Sequence, residues 1–142
     1  MSYPAFHELV PHEGPMVLLD EMVEWAPGAA TCTLEIRPGT AFETAGAVDT
    51  VVSIEWMAQA VAACLGYEAF KGGEGVRVGM IVGCRKFELD RPQVLVGDAL
   101  RISVDRIRGN EMISHFNCET WLGDERVAFA VLTLFHAEEP PE

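Results

Sequence analysis

Hydrophobic residues change their spacing along this chain, and the change marks its elements. From Val51 to Leu65 the run Val-Val-Ser-Ile-Glu-Trp-Met-Ala-Gln-Ala-Val-Ala-Ala-Cys-Leu is apolar around the whole circumference of a helix. The pattern predicts one long helix from Asp49 to about Lys71, with Asp49 or Thr50 capping its start and Gly72-Gly73 stopping it. Such a helix must be wrapped by other structure, and its many Ala residues let neighbours come close. Elsewhere the spacing is two. Ala29 to Arg37 alternates Thr31, Thr33 and Glu35 against Cys32, Leu34 and Ile36, while Met16 to Trp25 alternates loosely, and the turn signal Pro27-Gly28 joins them into a hairpin.

Downstream of the helix, Lys71-Gly72-Gly73-Glu74-Gly75 is a flexible connection. Val76 to Phe87, Ala99 to Arg108, Met112 to Leu122 and Arg126 to His136 read as strands, with tight turns at Gly109-Asn110 and Gly123-Asp124. Gly79 and Gly83 mark bulges or close backbone approach in the first of these. Leu89 to Gly97 carries Arg91-Pro92 and a Gly97-Asp98 turn. At the start, Phe6 to Pro15 is broken by prolines and predicts a short turn or helical piece; Pro38 to Val48 is a loop, and the acidic tail from Glu138 frays. One dominant helix with about six strands, the last four antiparallel, makes an α+β fold in which a large antiparallel sheet curls around the helix. A single domain over residues 1–142 suits this length, which buries roughly 70% of the unfolded surface. One sheet covers only part of an all-apolar helix, so a second copy is expected to cover the rest.

Glu55 and Gln59 are the strongly polar side chains of the central run, and four residues apart they share a helix face. A carboxylate there costs several kcal/mol unless paired or neutral. Glu55 is therefore a candidate general acid, or else it lies on an exposed edge beside a Lys or Arg.

Charge narrows the partners. The formal net charge of −12 argues against nucleic acid. Eight of the ten basic residues, Lys71, Arg77, Arg85, Lys86, Arg91, Arg101, Arg106 and Arg108, fall in one stretch; converging, they would form a patch for an acidic or phosphate-bearing partner, and otherwise they are solvated strand faces. No charge-free apolar run is long enough to span a membrane, and Met1-Ser2-Tyr3-Pro4 lacks signal-peptide character, so a cytoplasmic location is expected. Cys32, Cys64, Cys84 and Cys118 lack paired spacing and read as small core residues; His7, His12, His115 and His136 show no zinc spacing, and no metal site is expected.

Three passages carry a resemblance. Leu9-Val10-Pro11-His12-Glu13-Gly14-Pro15-Met16-Val17-Leu18-Leu19-Asp20 is similar to the opening of the bacterial 3-hydroxyacyl-(acyl-carrier-protein) dehydratases, a hotdog-fold family. Ile54-Glu55-Trp56-Met57-Ala58-Gln59-Ala60 resembles their central-helix signature, and Lys86-Phe87 through Arg91-Pro92 to Val96-Gly97-Asp98-Ala99-Leu100 their strand-turn-strand passage. The likeness covers nearly the whole chain, and its nearest form is the dehydratase-like subfamily of aryl polyene synthesis. One position departs: where better-known members carry a catalytic His ahead of the helix, this chain has Ala41, within Thr40-Ala41-Phe42-Glu43-Thr44.

The resemblance implies dehydration of a 3-hydroxyacyl thioester, borne on a carrier protein's phosphopantetheine, to a 2-enoyl thioester, with no other cofactor. Glu55 would be the acid and Gln59 would orient it. His12 would replace the missing imidazole as base, its alternative being a structural His beside a proline turn. Free N–H groups near Thr50 and Val51 would polarise the carbonyl, and the basic stretch would dock the acyl carrier protein. His115 and His136 are expected to be structural. Two other readings stay open: a partner-dependent or non-catalytic acyl-binding subunit of a hotdog heterodimer, and an acyl thioesterase with Glu55 as general base.

Overall fold

The computed structural model describes residues 3–72, 78–109 and 112–137. The strands are β1 (Glu21–Ala26), β2 (Ala29–Glu35), β3 (Glu43–Thr44), β4 (Ala47–Asp49), β5 (Val78–Leu89), β6 (Gln93–Leu95), β7 (Ala99–Gly109), β8 (Ile113–Leu122) and β9 (Glu125–Ala137). A 3-10 turn at Thr50–Val52 runs straight into helix α1 (Ser53–Lys71). The large sheet has six strands in the order β1-β2-β7-β8-β9-β5, every neighbouring pair antiparallel. A second sheet of three short strands runs β3-β4-β6.

The period-two pattern does what it predicts. Ala30, Cys32 and Leu34 of β2, Leu100, Ile102 and Val104 of β7, Phe116 and Cys118 of β8, and Ala128, Ala130, Leu132 and Leu134 of β9 are all buried and form one core with the helix. On α1, Trp56, Met57, Ala60, Val61, Ala63, Cys64 and Leu65 are at most 3% exposed. Small side chains at 60 and 63 leave nothing to hold the sheet away. Asp49 caps the helix start, its Oδ1 accepting from the Val51 N–H at 2.9 Å. At the other end Lys71 suits the helix terminus, and the Gly72 N–H reaches the Glu68 carbonyl at 3.1 Å.

Several elements differ from the expectation, each for a physical reason. Met16 to Leu19 does not join β1, because Gln59 of the helix takes the Leu18 N–H and the Met16 carbonyl, so this length crosses the helix, and contact with β2 starts only at Asp20, whose N–H donates to the Thr33 carbonyl at 2.8 Å. The 38–48 loop contains the β3–β4 hairpin, turned by Ala45 (φ 53°) and Gly46 (φ 84°), both left-handed as a two-residue turn demands. The 89–97 passage supplies β6, which pairs with β4 just ahead of the helix. Strand β5 has its bulges, at Ile81/Gly83 and Arg85/Glu88. The expected short pieces near the start are 3-10 turns at Phe6–Glu8 and Gly14–Met16. The Gly73-Glu74-Gly75 connection, Asn110 and the acidic tail lie outside the described residues. Of the four thiols, Cys32, Cys64 and Cys118 are core residues, but Cys84, on the edge strand β5, is exposed.

Candidate active site

Two glycine-and-amide contacts lay the N-terminal segment across the helix. At Gly66 an added Cβ would stand 2.0 Å from the Leu9 carbonyl oxygen, so only glycine lets that backbone rest on α1. About two turns back, Gln59 is completely buried, and its carboxamide is fully used. The Oε1 accepts the Leu18 N–H at 2.9 Å, while Nε2 donates to the Met16 carbonyl at 2.6 Å and to Glu55 Oε1 at 3.2 Å. The Leu18 N–H can face only an acceptor, which fixes the orientation of the amide.

The segment so held carries His12 to Glu55. His12 Nε2 lies 3.3 Å from Glu55 Oε1, with the side chains 24% and 35% exposed. The other ring nitrogen, Nδ1, is sealed from solvent and has no hydrogen-bond partner among the described residues. Glu55 Oε2 takes no hydrogen bond from the described residues. Three of the sequence-predicted residues, His12, Glu55 and Gln59, thus meet in one cluster open on the carboxylate side. Gln59 gives the expected hydrogen bond to Glu55, but, being buried, it has no surface left for a ligand.

Thr50 and Val51 are not available in the way expected. The Thr50 N–H donates to the Pro92 carbonyl at 3.0 Å and its hydroxyl to the Arg91 carbonyl at 2.5 Å, and the Val51 N–H is taken by Asp49. The β4–β6 pairing and the helix cap have used both donors. The basic stretch also fails to converge. Arg106 pairs with Glu68 at 2.8 Å, Arg91 with Glu125 at 3.4 Å, Lys71 sits over the Trp25 and Tyr67 rings, and Arg101 over Trp121. Arg85 and Lys86 are exposed on β5 and Arg108 on β7, and Arg77 lies outside the described residues. Ala41 and Phe42 are exposed, Phe42 at φ 69°. His115 Nδ1 meets Thr133 Oγ1 at 2.9 Å between β8 and β9, a structural contact as expected, and the His136 side chain is not among those described.

Reading the sequence missed Gly66 and the backbone atoms of Met16 and Leu18. The signal for Gly66 was present, a lone glycine inside a helical run; main-chain partners leave none. Ser53 and Thr120, fully buried with hydroxyls that have no partner among the described residues, were also missed. Among the described residues no three His, Cys, Asp or Glu side chains gather as metal ligands, and no helix is long and apolar enough to cross a membrane.

Comparison with known proteins agrees with this architecture. The dehydratase heterocomplex ApeI:P from Xenorhabdus doucetiae contains a chain that superposes with a TM-score of 0.91 at 23% identity, over 99% of this chain and 93% of that one. A conserved protein from Pseudomonas aeruginosa matches at TM-score 0.71 and 20% identity, over 94% and 100%. A hypothetical thioesterase from Streptococcus pneumoniae, solved with coenzyme A, matches at 0.66 and 11%, over 85% and 88%. At these identities the likeness shows the hotdog fold. No curated protein sequence matches the chain. The family model described as ApeP dehydratase matches residues 4–142, and the chain belongs to this ApeP-like dehydratase family.

Proposed function

We propose that this chain dehydrates 3-hydroxyacyl thioesters to 2-enoyl thioesters, with Glu55 and His12 as its acid–base centre. The observation that carries the reading is the 3.3 Å approach of His12 Nε2 to Glu55 Oε1, in a chain of a dehydratase family whose better-known resemblance would place its imidazole at Ala41. Dehydration needs a proton taken from C2 and a proton returned to the departing hydroxyl. Glu55 sits in the first turn of α1, where the helix dipole favours developing negative charge on the thioester oxygen. The substrate is carried on the phosphopantetheine of an acyl carrier protein, and the acyl group belongs to fatty-acid or aryl-polyene-type synthesis.

The chain works beside a second hotdog subunit. Two features support this: the likeness to a chain of the ApeI:P heterocomplex, and the bare edge strand β5, where Ile81, Val82 and Leu89 are 37%, 56% and 43% exposed. A single experiment tests the reading. The purified chain, alone and then with candidate hotdog partners, is given a 3-hydroxyacyl thioester on carrier protein, and the acyl mass is followed. Loss of one water supports dehydration; release of free thiol would replace it with hydrolysis. Binding without any change in mass, under both conditions, would leave an acyl-binding subunit.

A further inference from the structure

At Phe42 two separate physical costs meet. The Glu43 N–H donates to the Thr40 carbonyl at 3.0 Å, closing a turn over residues 40–43 whose third residue is Phe42, at φ 69°. That is the type II turn position, where the left-handed backbone favours glycine or asparagine and a bulky side chain holds strain. The ring is also 61% exposed, the most exposed large apolar side chain among the described residues, and it is no part of the core. Neither the turn nor the packing gains from a phenylalanine at this place.

The turn lies at the entrance of helix α1. Thr44 pairs with Ala47 and Glu43 with Val48, a register that carries Phe42 toward Asp49, the residue capping the helix. Two residues beyond Asp49, Val51 is 49% exposed, and four residues ahead of Glu55 it rises on the same side of the helix as that carboxylate. In the other direction along this side comes Gln59, covered by the backbone of Met16 and Leu18. The open direction from Glu55 therefore runs toward Val51 and the Phe42 turn. The Thr50 N–H and hydroxyl tie the helix start to the Pro92 and Arg91 carbonyls, so this ground is fixed in place.

From this we infer that Phe42 and Val51 form an apolar wall for the acyl chain of the substrate, and that the Phe42 ring sets a preference for longer chains. This rests on the dehydratase reading of Glu55 and names the part of the substrate on which the site selects. With C2 and C3 at Glu55, the chain from C4 onward passes Val51 and reaches Phe42, where its methylenes leave water against the ring. A short acyl group ends before the turn, and a long one covers it. The ring takes no part in proton transfer.

Phe42→Asn removes the ring and supplies a residue that the left-handed turn position accepts. Two substrates on the same carrier protein read the effect, a 3-hydroxybutyryl and a 3-hydroxydecanoyl thioester. The value of kcat/KM is expected to fall about threefold for the shorter group and about 30-fold for the longer, a tenfold shift in preference worth roughly two buried methylenes. Phe42→Trp, which keeps an apolar ring, should retain the long-chain preference. The unfolding temperature of Phe42→Asn should hold or rise, because the strain leaves with the ring. Equal losses for the two acyl groups would overturn the inference, and a weakened complex in sedimentation velocity would then assign the ring to a subunit contact. An unfolding temperature lower by several degrees would overturn it as well, since the ring would then serve the fold. If the wild-type chain, with and without a partner subunit, forms no enoyl product from either thioester, the dehydratase reading fails. Calorimetric binding of 3-hydroxydecanoyl pantetheine still decides the wall: weaker binding by Phe42→Asn than by the wild type supports it, and equal binding overturns it.

Discussion

Helix α1 and strand β5 are both rich in apolar residues, and the chain treats them in opposite ways. Trp56, Met57, Ala60 and Val61 of α1 are at most 3% exposed, whereas Ile81, Val82 and Leu89 of β5 stand well into solvent. The cover ends abruptly: on β9, hydrogen-bonded to β5, Leu132 and Leu134 are buried, yet Cys84, which pairs with Leu132, is exposed. Phe70 near the end of the helix is 60% exposed, but the middle of the helix completes its burial within one chain, using the sheet on one side and the N-terminal segment on the other. The edge strand does not, and two bulges bend it where cover is missing. The expected leftover apolar surface is present at the helix, at Phe70 and at Val51 of the preceding turn, and on the sheet edge as well.

Breaking the helix side of this comparison should produce the largest effects. Gly66→Ala drives a Cβ into the Leu9 carbonyl at 2.0 Å, and neither backbone can yield easily, so a loss of more than about 3 kcal/mol is expected in urea denaturation. Gln59→Leu keeps the volume but strands the Leu18 N–H and the Met16 carbonyl, costing about 2–3 kcal/mol and releasing Glu55 and the segment bearing His12. Activity should fall in both variants by more than the stability loss alone explains, because both contacts place His12.

Changes on β5 should do the reverse. Val82→Lys is expected to shift stability of the isolated chain by no more than about 0.5 kcal/mol, while disrupting assembly with a second subunit in sedimentation velocity. An unchanged complex would mean that another surface carries the partner. The gentlest probe is the thiols. Burial pushes Cys32 and Cys64 up to about 12 and Cys118 further still, whereas Cys84 is raised less and is exposed. At a pH near 8 a thiol reagent should modify Cys84 readily and the other three only on unfolding, and a partner seated over β5 should slow that one reaction.

Much of the fold was legible in the sequence because its signals are local. The all-round apolar run with Asp49 before it and glycines after it marked α1, and the alternation of Cys32, Leu34 and Ile36 with threonines marked β2. What stayed hidden depends on distant partners. Nothing in Met16 to Asp20 announces that a glutamine on the helix will claim its backbone and keep it out of β1. The free N–H groups expected at Thr50 and Val51 were lost to Pro92 and Asp49, the first of these through a strand pairing too short to show as a pattern. Clustering of basic residues along the chain did not become clustering in space, since Arg106 goes to Glu68, Arg101 to Trp121 and Arg91 to Glu125. At the site, Glu55 and Gln59 stood out as polar residues on one face of an apolar helix. The approach of His12 needed the segment laid down by Gly66 and Gln59, which no local pattern announces.

The most direct measurement is the rate of Glu55→Gln on a 3-hydroxyacyl thioester carried by an acyl carrier protein, compared with the wild type under conditions where the wild type loses water. The amide keeps an acceptor for Gln59 and His12 but cannot carry the proton, so the account predicts a folded protein with a loss of roughly 10²–10⁴ in kcat. A folded Glu55→Gln chain that dehydrates at near the wild-type rate would contradict it, leaving the carboxylate as a structural partner of Gln59 and His12.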